Sequence, residues 1–489
     1  MSATQAPATE GRELESGPSR WLMVAVLGGM FLSMLDQTIV GPALPDITAD
    51  IGGENLYSWF VSAYLLTTTV SVPLYGRLSD VYGRKPLLLT GLGIFIAGSA
   101  LCALAQTSWQ LIAARALQGL GAGALIPLSL ALLFDLFPGR AMGKVQGWIG
   151  AVMGVSYVTG PMLGGLLNDH AGWPWIFLVN VPIGVVLAAV VVIRLPHRPG
   201  TAERARPDYL GIAVFSAAVS LLMVGLTQKG LTGADGRLHH WTDWPVLGYL
   251  LAALALLAVF LLIELRVSEP LIPLGLFRNP VYTATNVASF ATAFAMYSAI
   301  IFLPRYLRDA RDYSAVASGV LIYPLLIGIV VGSFAAGAII GATRRYKLLL
   351  ASVQLLTGIG AVCFLWLEAD TPLPVLSVWM ATLGLGIGPM LSGLTITVQN
   401  SVPIEHIGTA TGKVTFFRQI GGAVALTFAG SIYMETMTDH APAVGPQQAA
   451  AEAAAQVLPL LGALGAGTAF LAMLLVPRRP LWLLGDGGD

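Results

Sequence analysis

The chain has 489 residues, 56% of them hydrophobic and 11% charged, with a mean hydropathy of +0.75. So few charges cannot clothe a soluble domain of this length, and a bilayer is the solvent that suits the composition. The formal net charge is zero, from 26 basic and 26 acidic residues, which offers nucleic acid no basic face; Cys102 and Cys363, far apart in apolar stretches, supply no disulfide framework.

Residues 1–20 are polar and of mixed charge, unlike a secretory signal, and read as a short tail that stays attached. A spanning helix needs about 17 to 25 mostly apolar residues. Six such stretches follow near 21–42, 58–74, 86–105, 108–133, 142–167 and 173–195, then two near 209–227 and 244–265. Six more lie near 281–304, 314–340, 346–367, 373–398, 408–434 and 454–476. An even count of fourteen puts both termini on one side. Nineteen of the 26 Lys and Arg residues fall on that side, against Lys229, Arg237, Arg305, Arg308 and Arg311 opposite. By the positive-inside rule the termini are cytoplasmic.

The first six and last six spans read as two copies of one unit. The stretch from Gly76 to Arg84, Lys85 and Pro86 after span 2 is answered by Gly337 to Arg345 and Lys347 after span 10, with Gly341 in place of Asp80. Gly119, Gly121 and Gly123 in span 4 are answered by Gly384, Gly386 and Gly388 in span 12, and Gly143-Lys144-Val145 by Gly412-Lys413-Val414. Repeats in the same order imply parallel halves related by an axis along the membrane normal, with binding at their interface. The expected fold is therefore all-α integral membrane: a tail (1–20), a six-helix bundle (21–195), a linker with two extra helices (196–280), a second six-helix bundle (281–476) and a tail (477–489).

Asp36 is the only carboxylate well inside an apolar span. A charge at that depth costs about 2.5 to 3.5 kcal/mol on insertion scales, and intramembrane ionisable groups are functional candidates by default. Gly29, Ser33, Asp36 and Gln37 share one helix face, a polar stripe for the acid. Two readings stay open: a site that takes up and releases a proton, or a carboxylate held permanently by an arginine. Arg115 is the natural partner because it cannot lose its proton, and Gln118 lies on its face. Tyr64, Thr68 and Ser71 line one face of span 2, as cavity lining or as helix-to-helix hydrogen bonds. Gly154, Gly160, Pro161, Gly164 and Gly165 make span 5 slim and bendable. Arg305–Asp309 and Arg308–Asp312 stand at i,i+4 spacing and read as a solvated, ion-paired helix end.

The chain resembles the fourteen-span drug:proton antiporters of the major facilitator superfamily. The resemblance rests on Leu35 to Val40, Gly76 to Pro86, Arg115 to Gly119, Gly154 to Gly165, Phe177 to Gly184 and Arg418 to Gly422. It departs from that pattern at Gly41 and Pro174. The resemblance implies proton coupling by Asp36 and Arg115 and a substrate cavity touching Ser33, Gln37, Tyr64, Thr68 and Gln118. It further implies a cytoplasmic latch through Gly76, Asp80, Gly83 and Arg84, and a sealed, bendable seam at Gly154, Gly160, Pro161 and Gly164. The expected partners are a small-molecule substrate, protons and membrane lipid, for a monomer in the inner membrane with no cofactor and no metal. With no Walker-type phosphate loop, energy must come from an ion gradient. Export of lipid or glycolipid, proton symport of peptides and a non-transporting sensor remain as alternatives.

Overall fold

A computed structural model describes residues 20–57, 59–136, 142–196, 208–229, 239–267, 270, 274–343, 345–402 and 407–476. The described residues form helices joined by short turns, with no strand among them. In chain order the helices are α1 (Arg20–Ile39), α2 (Leu44–Ile51), α3 (Trp59–Tyr82), α4 (Arg84–Ala103), α5 (Ser108–Leu136) and α6 (Met142–Ala171). They continue with α7 (Pro174–Leu178), α8 (Asn180–Arg194), α9 (Tyr209–Gln228), α10 (Trp244–Glu264), α11 (Pro280–Asp309) and α12 (Ala315–Leu321). The last five are α13 (Tyr323–Thr343), α14 (Lys347–Cys363), α15 (Leu373–Gln399), α16 (Ile407–Val444) and α17 (Pro446–Leu475).

Eleven helical stretches among the described residues are long and apolar enough to cross a membrane. Three of them are broken rods, α1 with α2, α7 with α8 and α12 with α13. The first break falls at Gly41-Pro42, where proline removes a backbone donor. Long helices α3, α6 and α16 fall outside the eleven, and through them a first set of helices, α1–α8, meets a second, α11–α17: α3 packs on α16, and α6 on α12 and α13.

Two expected boundaries move. Helix α3 runs on to Tyr82, so Gly76 and Asp80 belong to its last turns rather than to a loop. The N-cap of α4 is Gly83 at φ +86°, a left-handed conformation that only glycine adopts without strain. At the far end α16 reaches Val444 and α17 begins at Pro446, where an outer loop was expected over 435–453; Gly445 alone, at φ +88°, turns the chain.

The repeat reappears as packing. Helix α5 lies between α3 and α4, and α15 between α13 and α14. A Cβ on Gly119 would stand 2.4 Å from the Tyr64 carbonyl of α3, and one on Gly121 would stand 2.3 Å from Phe95 N of α4. In the second copy Gly384 and Gly388 face α13 backbone in the same way, at 2.2 and 2.1 Å, while Gly386 faces Thr357 N of α14 at 2.5 Å. Without a hydrophobic drive between helices in lipid, such backbone approach supplies the packing contacts. The basic turns recur too. Lys85 Nζ donates to the Val192 and Leu195 carbonyls at the end of α8, at 2.8 and 2.6 Å. Lys347 Nζ donates to the Leu474 carbonyl, at 2.7 Å, and to Val476 at the end of α17.

Candidate functional site

Four helices bring a polar cluster into the middle of the first set. From α1 comes Asp36, from α5 Arg115 and Gln118, from α4 Ser99 and from α8 Asn180; all are fully buried. Arg115 Nη1 donates to Asp36 Oδ2 at 2.6 Å. Asp36 Oδ1 accepts from Gln118 Nε2 at 2.8 Å and from Asn180 Nδ2 at 2.9 Å. The same two amides reach Ser99 Oγ at 3.0 and 3.1 Å, and Ser99 donates to the Phe177 carbonyl at 2.9 Å. Asp36 thus accepts three hydrogen bonds, one from a guanidinium and two from side-chain amides.

Arg115 is held by more than the acid. Its Nε donates to the Phe60 carbonyl at 3.0 Å, its Nη1 also to Gln118 Oε1 at 2.8 Å, and its guanidinium lies 4.2 Å from the Tyr64 ring centre. The glycines make the approach possible. A Cβ on Gly98 of α4 would stand 2.5 Å from Gln118 N, so only a residue without one lets α4 bring Ser99 alongside α5.

Of the residues expected around a cavity, Tyr64 and Gln118 join this cluster. Ser33 contributes its carbonyl, which accepts from Tyr64 Oη at 3.2 Å. Thr68 bonds the Gly119 carbonyl at 3.1 Å and so ties α3 to α5. Gln37 sits at the boundary with the second set, where its Oε1 accepts from Tyr297 Oη of α11 at 3.2 Å. Nearby, Thr69 of α3 donates to Gln419 of α16 at 3.3 Å. Asn180 and Ser99 carried no assigned role in the sequence. Asn180 had a signal, being an amide in an otherwise apolar span; a single serine such as Ser99 has none.

The span 5 residues lie between α1 and α12. A Cβ on Gly160 would clash with Thr38, one on Gly164 would stand 2.0 Å from the Ile39 carbonyl, and one on Gly165 would stand 2.5 Å from Val316 Cα. A Cβ on Gly319 of α12 would clash with the Pro161 carbonyl, and one on Gly154 would stand 3.2 Å from Val330 of α13. Where α3 ends and α4 begins, Arg84 donates to the Ala131 carbonyl of α5, a Cβ on Gly76 of α3 would meet open space, and the Asp80 side chain lies outside the described residues.

At the end of the molecule carrying residues 42–57, the two sets are clasped. Arg308 pairs with Asp46 and donates to the Pro42 carbonyl at 3.3 Å, while Asn168 bonds the other Asp46 oxygen. Asp169 accepts from Val316 N at 3.0 Å. Arg305 bonds Asp309 at 3.0 Å, as the i,i+4 spacing predicts, but it is buried between the rings of Tyr57 and Tyr433, 3.9 and 4.2 Å away. The expected solvated helix end is thus an interface: Arg308 reaches across to Asp46, and Arg305 is stacked rather than hydrated. No cluster of His, Cys, Asp and Glu that could hold a metal occurs among the described residues.

The Major Facilitator Superfamily profile matches residues 26–426. An uncharacterized MFS-type transporter of Mycobacterium tuberculosis is 36% identical over 443 residues, an alignment covering 89% of this chain and 63% of that protein, so the chain spans less than two thirds of that relative's length. Multidrug transporter protein MdtP of Bacillus subtilis is 35% identical over 416 residues, covering 84% of this chain and 74% of the relative. Among solved structures, a bacterial homolog of the human lysosomal transporter Spinster shares the fold at a TM-score of 0.64 and 14% identity, over 94% of this chain and 98% of that one. A match across most of the chain, a shared helical fold and relatives above 30% identity together establish that the chain belongs to the Major Facilitator Superfamily.

Proposed function

We propose that this chain is a proton-coupled antiporter that exports small lipophilic compounds, whether drugs, dyes or a metabolite, by alternating access. In this reading it works as a monomer in the inner membrane, with both termini cytoplasmic and fourteen spans arranged as two six-helix bundles and two additional central helices. The observation that carries the reading is the buried Asp36 cluster, one carboxylate facing one permanent cation across two helices. The multidrug name of the Bacillus relative supports the substrate class.

The cluster's chemistry suits coupling. While Asp36 is ionised, three donors from α5 and α8 hold it, and α1 with it, against those two helices. A proton on the carboxylate cancels the ion pair and leaves those donors facing a poorer acceptor, so α1 is freed to part from α5 and α8. Arg115 is not stranded when this happens, because the Phe60 carbonyl, Gln118 Oε1 and the Tyr64 ring still engage it. The ion-paired cluster together with the Asp46–Arg308 clasp corresponds to the stage after proton release to the cytoplasm, with the outer end shut. The slim seam at Gly154, Gly160, Pro161 and Gly164, and the α3–α4 junction at Gly76, Asp80, Gly83 and Arg84, are the parts that shift between stages. One proton entering down about 150 mV yields about 3.5 kcal/mol at about 2.3 kcal/mol per 100 mV. That supports a gradient of roughly a few hundred-fold at about 1.4 kcal/mol per decade.

The test is a panel of lipophilic dyes in inverted vesicles. At least one dye should accumulate against its gradient when a pH gradient is imposed, and a protonophore should abolish that accumulation. If every dye moved independently of the pH gradient, the reading would be wrong.

A further inference from the structure

The α9–α10 hairpin has no counterpart in the repeat, and its packing is lopsided. Helix α10 packs on α9, and Leu254, Leu261 and Leu262 on it are exposed. Helix α9 lies against two helices that belong to different sets, α3 and α16, which also pack on each other. It therefore runs along the seam between the two sets, on the side away from the α6–α12–α13 contact.

The attachment to α16 is polar and extends along its length. Lys229 at the end of α9 pairs with Glu435 at 2.9 Å and stands 6.0 Å from the Trp241 ring centre. Ser431 donates to the Leu226 carbonyl at 3.2 Å, and Thr427 touches Met223 Sδ at 3.6 Å. Further along, the Phe215 ring meets Phe416 at 5.4 Å and Phe260 of α10 at 5.0 Å, both tilted, and Trp241 lies 5.8 Å from Phe428. Near the other end buried Lys413 of α16 is attracted by buried Glu264 of α10. Each of these links goes to α16 or stays within the hairpin.

We propose that the α9–α10 hairpin is a seal carried by α16: it moves with the second set, slides over α3, and keeps lipid out of the α3–α16 seam. Two sets that rock against each other open and close their seams to the bilayer. A cover bonded to one side and lying against the other permits the rocking while excluding lipid from this seam. Compounds dissolved in the membrane are then left the opposite seam, between α6 and α13.

Two experiments decide it. In protein lacking Cys102 and Cys363, Met223→Cys with Thr427→Cys should form a disulfide on oxidation. The oxidised protein should keep the dye efflux of its reduced form to within about twofold, a difference of about 0.4 kcal/mol. Failure of the disulfide to form, or efflux lost on oxidation and regained on reduction, would overturn the proposal. The second experiment needs no transport. A photoactivated carbene reagent dissolved in the bilayer should label α10 heavily and α3 sparsely, as mapped by mass spectrometry of the intact protein. Labelling of α3 equal to that of α10 would rule out the seal. If the reduced protein moved no dye at all, the transport reading would fall by itself, and the labelling would still decide the seal.

Discussion

The α4–α5 pair and the α14–α15 pair are built on the same glycines and filled with opposite chemistry. Gly98 and Gly360 each bring one helix onto the other: a Cβ on them would stand 2.5 Å from Gln118 N and 2.6 Å from Leu383 N. Counting from those contacts, Ser99 corresponds to Ala361, Cys102 to Phe364, Gln118 to Leu383 and Arg115 to Met380. All four second-set side chains are buried and apolar. Close helix approach is thus a property of the scaffold, present twice, whereas the ionic cluster is an addition to one copy. The comparison teaches that the glycines hold the bundle together and that the polar residues do something the bundle does not need.

The harshest way to break this comparison is to give the first copy the second copy's residue. Arg115→Met leaves Asp36 buried without its cation, and removing one partner of such a pair costs about 3 to 5 kcal/mol. Thermal unfolding in detergent should drop accordingly, and uphill efflux should vanish. Adding Asp36→Asn should recover most of the stability and none of the uphill efflux. Recovery of both would make the pair structural.

Next is Asn180→Ala, which removes one donor from the carboxylate. Hydrogen bonds to charged groups are worth about 1.5 to 3 kcal/mol, so the melting temperature should fall less than in Arg115→Met while dye efflux is reduced rather than lost. An unchanged melting temperature and unchanged efflux would remove Asn180 from the cluster.

Gly121→Ala and Gly386→Ala test the shared scaffold. Overpacking of this kind costs about 1 to 3 kcal/mol, and the two variants should lose stability alike. A loss confined to Gly121→Ala would show that the two copies are not equivalent in packing. The smallest effect belongs to Met380→Leu, a volume-conserving swap expected to cost less than about 1.5 kcal/mol and to leave efflux intact; the equivalent conservative change in the first copy, Arg115→Lys, should not be tolerated.

Much of this was legible in the chain. Asp36 stood out by its depth in an apolar span, Arg115 as the cation able to meet it, and the two glycine triplets by their matching order. What could not be read was long-range geometry. The Phe60 carbonyl that steadies Arg115 is backbone, so no side-chain pattern announces it. Arg308 had a local candidate in Asp312, and nothing in the sequence ranks Asp46, which lies 262 residues away, above it. The α3 boundary was missed because Arg77 and Asp80 look like loop residues, although a helix leaving the bilayer carries such charges on its last turns.

The account turns on Asp36 exchanging a proton with substrate, and the most direct measurement is proton release from purified protein in weak buffer on adding a transported dye. Wild-type protein is expected to release protons in proportion to bound dye, and Asp36→Asn to bind the dye and release none. Wild-type release from Asp36→Asn would contradict the account and leave Asp36 as a structural partner of Arg115.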